Sequence, residues 1–172
     1  MTKLVYLSYP EEGLHATPLW VKDLLDTASE EVVFHVSGMT PSLSVSKLLE
    51  ARMEGSKVNE MVVRLAQGTT RRLIDSLVSM DLSKILYMQE SQPQSVEFHV
   101  LRDLWILSRS DVYVVDTDIL GRAKCGVEVS AIHGIIPTLG VSDSFILDPW
   151  FIYYLDGFVK STMVSSKLRD LL

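Results

Sequence analysis

Leu4-Val5-Tyr6-Leu7 is a continuous apolar run framed by Lys3 and Ser8. A short run of this kind has the pattern of a strand buried on both faces, as in a parallel sheet. Ser8-Tyr9-Pro10-Glu11-Glu12-Gly13 then reads as a loop, and Thr17-Pro18 as a helix start, a cap followed by proline at the first helical position. Leu24, Leu25 and Ala28 are expected to supply that helix's buried face. Val32-Val33-Phe34-His35-Val36 predicts a second strand, closed by Ser37-Gly38.

The same alternation returns late in the chain. Val96 to Ser108 has helical spacing, with Ser95 as its cap and Leu101, Leu104, Trp105 and Leu107 as apolar positions. Asp111-Val112-Tyr113-Val114-Val115-Asp116 predicts a strand, and a polar loop containing Gly121 and Arg122 leads into a helix over 124–134. Ile136 to Val141 predicts another strand, while Trp150 to Val159 and Ser166 to Leu171 read as closing helices. Between the two alternating regions, Thr40 to Gln94 is helical and less regular, with Leu48, Leu49, Met53, Leu73, Ile74, Leu77 and Val78 at helical spacing. Amphipathic helices there would pack on the body or on another subunit. The expectation is one α/β domain over 1–172 with a helical insertion at about 40–94. Its sheet would be mainly parallel, doubly wound and of about five strands.

At 172 residues, with 47% hydrophobic and 22% charged residues, the composition is that of an ordinary globular domain. The 16 basic and 22 acidic residues give a net charge of −6. Without a basic run such a chain is poorly suited to a nucleic acid polymer, whose affinity comes mostly from Lys and Arg. Cys125 is the only cysteine, so no intramolecular disulfide forms. The first strand lacks the longer apolar stretch of a signal peptide. The most apolar late segment, Phe145 to Val159, is interrupted by Asp148, Pro149 and Asp156 and is too short to span a bilayer. A cytoplasmic protein with no membrane partner is expected.

Glu128, in Cys125-Gly126-Val127-Glu128-Val129-Ser130-Ala131-Ile132-His133-Gly134, sits about one turn into the predicted helix. It therefore lies near the carboxyl end of a strand, where open α/β sheets place their ligands. A glutamate early in a helix ordinarily serves the helix dipole. Cys125 and His133 suggest a thiol and a base, yet on one helix they would stand about 12 Å apart, too far to hydrogen-bond. His99 and Asp103 could reach one metal ion, but no further ligand stands at a convincing spacing, so neither metal nor cofactor is expected.

Three separated segments together resemble one family. Leu4-Val5-Tyr6-Leu7-Ser8-Tyr9-Pro10 resembles the opening strand and loop of the nucleoside 2-deoxyribosyltransferases and related nucleotide N-glycosidases, the 2′-deoxynucleoside 5′-phosphate N-hydrolase-like enzymes. Arg102-Asp103-Leu104-Trp105-Ile106-Leu107-Ser108-Arg109-Ser110-Asp111 resembles the family's arginine–aspartate helix. Gly121 to Pro137 resembles the loop and helix that carry its catalytic glutamate. The likeness covers 1–38 and 95–172, while 40–94 matches nothing in the family pattern. In place of the family's glycine-threonine-alanine-like run stands Lys124-Cys125-Gly126-Val127, and the loop after Pro10 lacks the glycine-rich or arginine-containing sequence of many nucleotide hydrolases.

The resemblance implies a flavodoxin-like fold and cleavage of the N-glycosidic bond of a nucleoside or nucleoside 5′-monophosphate. A carboxylate facing the anomeric carbon traps the oxocarbenium-like sugar as an ester, and a second acid helps the base leave. By resemblance Glu128 is the nucleophile, Asp103 positions the sugar and transfers a proton, and Tyr6 orients Glu128. Ser8 and the Gly121–Gly126 loop, with Gly121, Arg122 and Gly126, would line the sugar or phosphate pocket. Apart from the resemblance, Asp116 and Asp118 follow their strand either as substrate-binding residues or as caps of the polar loop, and Asp116 is read as binding. A homodimer or larger homo-oligomer is implied. The residues leave open ribo- or deoxyribose, the base, and resolution by water or by a second base. A protein of another class, which binds nucleotides or assembles without turnover, is the alternative.

Overall fold

The computed structural model describes residues 2–9, 18–27, 29–36, 43–51, 106–107, 109–117, 136–143 and 155–172. Five strands form one sheet: β1 (Lys3–Ser8), β2 (Val32–Val36), β3 (Val112–Asp116), β4 (Thr138–Val141) and β5 (Gly157–Val159). Their order is β2-β1-β3-β4-β5 and every pairing is parallel. This is the flavodoxin-like, doubly wound topology expected from the alternating pattern, with the strand order reversing between β1 and β3.

Parallel pairing requires crossovers, and their handedness sets where the helices lie. Helix α1 (Leu19–Thr27) crosses from β1 to β2, and α3 (Val164–Leu171) follows a 3-10 turn (Ser161–Met163) after β5. The two pack on the same face, where Val5, Leu7, Val112, Val114, Leu139 and Val141 meet Trp20, Val21, Leu24, Val164 and Leu168. Fully burying side chains of this size stabilises by roughly 1.5–3 kcal/mol each before entropic costs. Helix α2 (Leu43–Ala51) contacts β2, and its Val45 and Leu49 are buried outside that cluster. The opposite face carries Tyr6, whose ring lies 5.3 Å from that of His35 and 5.5 Å from that of Tyr113.

Helix α1 starts one residue later than the proline pattern predicts. The Pro18 carbonyl accepts the Lys22 N–H at 3.2 Å, which makes Pro18 the capping position rather than the first helical one. Its buried face is Trp20, Val21 and Leu24, and the expected Leu25 is 47% exposed. Ala28 lies outside the described residues. A larger correction concerns Trp150 to Val159. Its described end, 157–159, is strand β5 and not a helix, paired to β4 at Gly140↔Phe158. Gly140 admits this neighbour closely, since a Cβ there would stand 3.0 Å from Thr117 Cγ2 and 3.1 Å from Phe158 Cδ2.

Aspartates set the strand starts. Leu4 N–H donates to Asp111 Oδ2 at 2.8 Å while Asp111 N–H donates to the Leu4 carbonyl at 2.8 Å. Thr138 N–H donates to Asp156 Oδ2 at 2.8 Å while Asp156 N–H donates to the Thr138 carbonyl at 2.9 Å. Each aspartate immediately precedes its strand and closes a two-bond ring with the neighbour, which fixes register. Among the described residues no helix is long and apolar enough to cross a membrane.

Candidate functional site

The carboxyl ends of β3 and β4 come together with the start of α1 around a cleft of ≈ 290 Å³. Asp116 is the last residue of β3. It alternates with Val114 and Val112, so it falls on the α1 face of the sheet, half-buried. Pro18, Leu19 and Trp20 supply the wall from α1, and Trp20 is held by an edge-on contact with the Tyr9 ring at 6.4 Å. Val141, Ser142 and Asp143 come from the end of β4, and Ser161 from the turn after β5.

The β4 and β5 ends are clipped to each other. Ser142 N–H donates to the Val159 carbonyl at 3.1 Å, and Ser161 N–H donates to Asp143 Oδ1 at 3.0 Å. The hydroxyl and N–H of Ser161, with the charge of Lys160, hold the exposed Asp143 carboxyl below its ordinary pKa. Beneath this rim the buried Thr117 hydroxyl donates to the Val141 carbonyl at 3.0 Å, tying β3 to β4. The cleft thus has an apolar wall on the α1 side and carboxylate and hydroxyl groups on the strand side. Such a surface accepts hydrogen bonds from a ligand's O–H and N–H groups.

Of the candidate site residues, Tyr6, Ser8 and Asp116 are described. Asp116 lines the cleft. Tyr6 is fully buried on the opposite face, its ring beside His35 and Tyr113. Ser8 ends β1 on the same face as Tyr6, 4% exposed and paired in register with Val115. Glu128, Asp103, Gly121, Arg122 and Gly126 lie outside the described residues.

Asp143 and Ser161, absent from the sequence reading, join the site only through folding. The signal that could have found Asp143 is its position just past an apolar strand, where open sheets place polar ligand contacts. Arg109 is 6% exposed at the amino end of β3, and burial pushes its pKa down to about 10. It remains cationic at neutral pH. Among the described residues no group of three or more His, Cys, Asp or Glu side chains could hold a metal ion.

Fold and cleft together define a flavodoxin-like α/β protein with a polar cleft at the carboxyl edge of its sheet. No family model, curated protein or solved structure matches the chain.

Proposed function

We propose that the protein cleaves the N-glycosidic bond of a nucleoside or nucleoside 5′-monophosphate through a covalent glycosyl–Glu128 intermediate. The observation that carries this reading is Asp116. Its place at the end of a predicted strand marks it as a substrate-binding candidate, and it lines a cleft at the carboxyl edge of a sheet with the flavodoxin-like strand order. Asp116 closes β3, and the connection that follows it in sequence bears Glu128. In the proposed mechanism Glu128 attacks the anomeric carbon, Asp103 assists departure of the base, and Asp116 holds sugar hydroxyls. Water or a second base then releases the sugar, giving hydrolysis or transfer.

The test is release of free base from deoxynucleosides and their 5′-monophosphates by wild type and Glu128→Ala. The variant should lose on the order of 10³-fold or more in rate, as removal of a covalent nucleophile does. Unchanged release in the variant would remove Glu128 from the mechanism. A second reading, a nucleotide-binding or oligomeric interaction protein without turnover, draws on Tyr6. Its full burial beside His35 and Tyr113 is a core position rather than one on the cleft wall. Binding of nucleosides with no release by the wild type would favour it.

A further inference from the structure

Strand β3 leaves the sheet at residue 117, between Asp116, which lines the cleft, and the connection that bears Glu128. Asp116 and Val141 are partners in register. The Tyr113 N–H donates to the Pro137 carbonyl at 2.9 Å, and the period of two in a strand ladder places the Val141 carbonyl opposite residue 117. A side chain takes that carbonyl: the Thr117 hydroxyl donates to it at 3.0 Å. The other branch of the same side chain packs on Gly140, where a Cβ would stand 3.0 Å from Cγ2. Both branches are engaged in a residue that is 1% exposed, which fixes the torsion about its Cα–Cβ bond.

Val141 is held from its far side as well, since the Ser142 N–H donates to the Val159 carbonyl at 3.1 Å. The Thr117 bond therefore joins the end of β3 to a fixed strand end, where Val141 and Ser142 line the cleft. Parallel pairing already runs from Tyr113↔Thr138 to Asp116↔Val141. The added side-chain bond acts one residue later, on the direction in which the chain departs beside Asp116.

We propose that Thr117 is a positioning residue for substrate binding: its hydroxyl, locked onto the Val141 carbonyl, sets the Asp116 backbone so that the carboxylate meets the sugar. The role of Asp116 rests on the reading proposed above. Thr117 is not among the residues lining the cleft and takes no part in bond breaking; it acts through Asp116.

Thr117→Val replaces the hydroxyl by a methyl of similar size, and Thr117→Ser keeps the hydroxyl while losing the methyl on Gly140. Each full-length variant is compared with the wild type in three ways: affinity for the common 2′-deoxynucleosides by calorimetry, KM and kcat for base release, and the urea midpoint. Thr117→Val should weaken binding and raise KM roughly fivefold or more, with kcat within about twofold. Thr117→Ser should keep the wild-type affinity and KM although its midpoint falls, because a buried methyl is lost. In an Asp116→Ala background, Thr117→Val should weaken the residual binding no further. A merely structural tie would lower the midpoint of both variants and leave affinity and KM of the folded protein unchanged, and that result overturns the inference. Equal loss of affinity in Thr117→Ser, or a full further loss beside Asp116→Ala, overturns it too. Should Thr117→Val not fold, Thr117→Ala replaces it as the variant without a hydroxyl. Base release by the wild type with Thr117→Val unchanged overturns this inference and leaves the glycosidase reading standing. Nucleoside binding without release overturns that reading, and the affinities then decide for Thr117. Neither binding nor release overturns both.

Discussion

At the amino edge of the sheet Asp111 accepts the Leu4 N–H of β1 and Asp156 the Thr138 N–H of β4, whereas at the carboxyl edge Asp116 and Asp143 line a cleft. The same side chain serves opposite ends of the strands for different purposes. The strand starts leave backbone N–H groups that need acceptors, and a preceding aspartate supplies one while returning its own N–H to the same residue. At the other end the strands run out into connections, and carboxylates there turn toward an open space beside α1. The aspartates of one rim therefore close pairs of backbone bonds between strands, while those of the other line a cleft on the side where open α/β sheets place their ligands.

The largest stability effect expected at either rim is at Asp111. Asp111→Ala removes the acceptor of the Leu4 N–H, supplied by a half-buried side chain, and should cost about 1–3 kcal/mol by urea unfolding. Nucleoside affinity of the folded variant should stay at the wild-type value. A midpoint unchanged from wild type, or lost affinity at full stability, would break the division between the rims.

Asp156 makes the same pair of bonds but is itself exposed, and it precedes a three-residue strand at the sheet's margin. Water can replace part of what it supplies. Asp156→Ala should therefore cost about 0.5–1 kcal/mol, less than Asp111→Ala. Equal losses in the two variants would show that the bond pattern, and not burial, sets the cost.

Four strands were legible because their apolar runs are dense: Leu4 to Leu7, Val32 to Val36, Val112 to Val115 and the stretch ending at Val141. Gly157-Phe158-Val159 was not, since three residues carry no period of their own and the preceding aromatic segment looks helical. The strand exists because Gly140 lets β5 approach β4 and Asp156 latches its start, and both are tertiary facts. The buried face of α1 was misjudged for a related reason. Leu25 is as apolar as Leu24, and only the positions of the sheet and α3 decide which of them is covered. Asp116 could be singled out because it closes a recognisable strand. Asp143 could not, because its partner Ser161 lies eighteen residues away across two strand ends.

The smallest expected effect separates the rims by pH. Asp143→Asn should change stability by no more than about 0.5 kcal/mol, as exposed substitutions usually do. Its ionisation is nevertheless perturbed in a known direction. In the folded protein the Ser161 hydroxyl and N–H and the Lys160 charge favour the anion, so the carboxyl titrates below its ordinary value of about 3.9. A lowered folded pKa contributes stability that is complete above the unfolded value and is lost as pH falls through the folded one. The Ser161 amide resonance should thus hold its position from neutral pH down to about 4 and shift only below it. In Asp143→Asn that step should be absent. A midpoint at or above the ordinary aspartate value would mean that Ser161 does not hold the carboxylate.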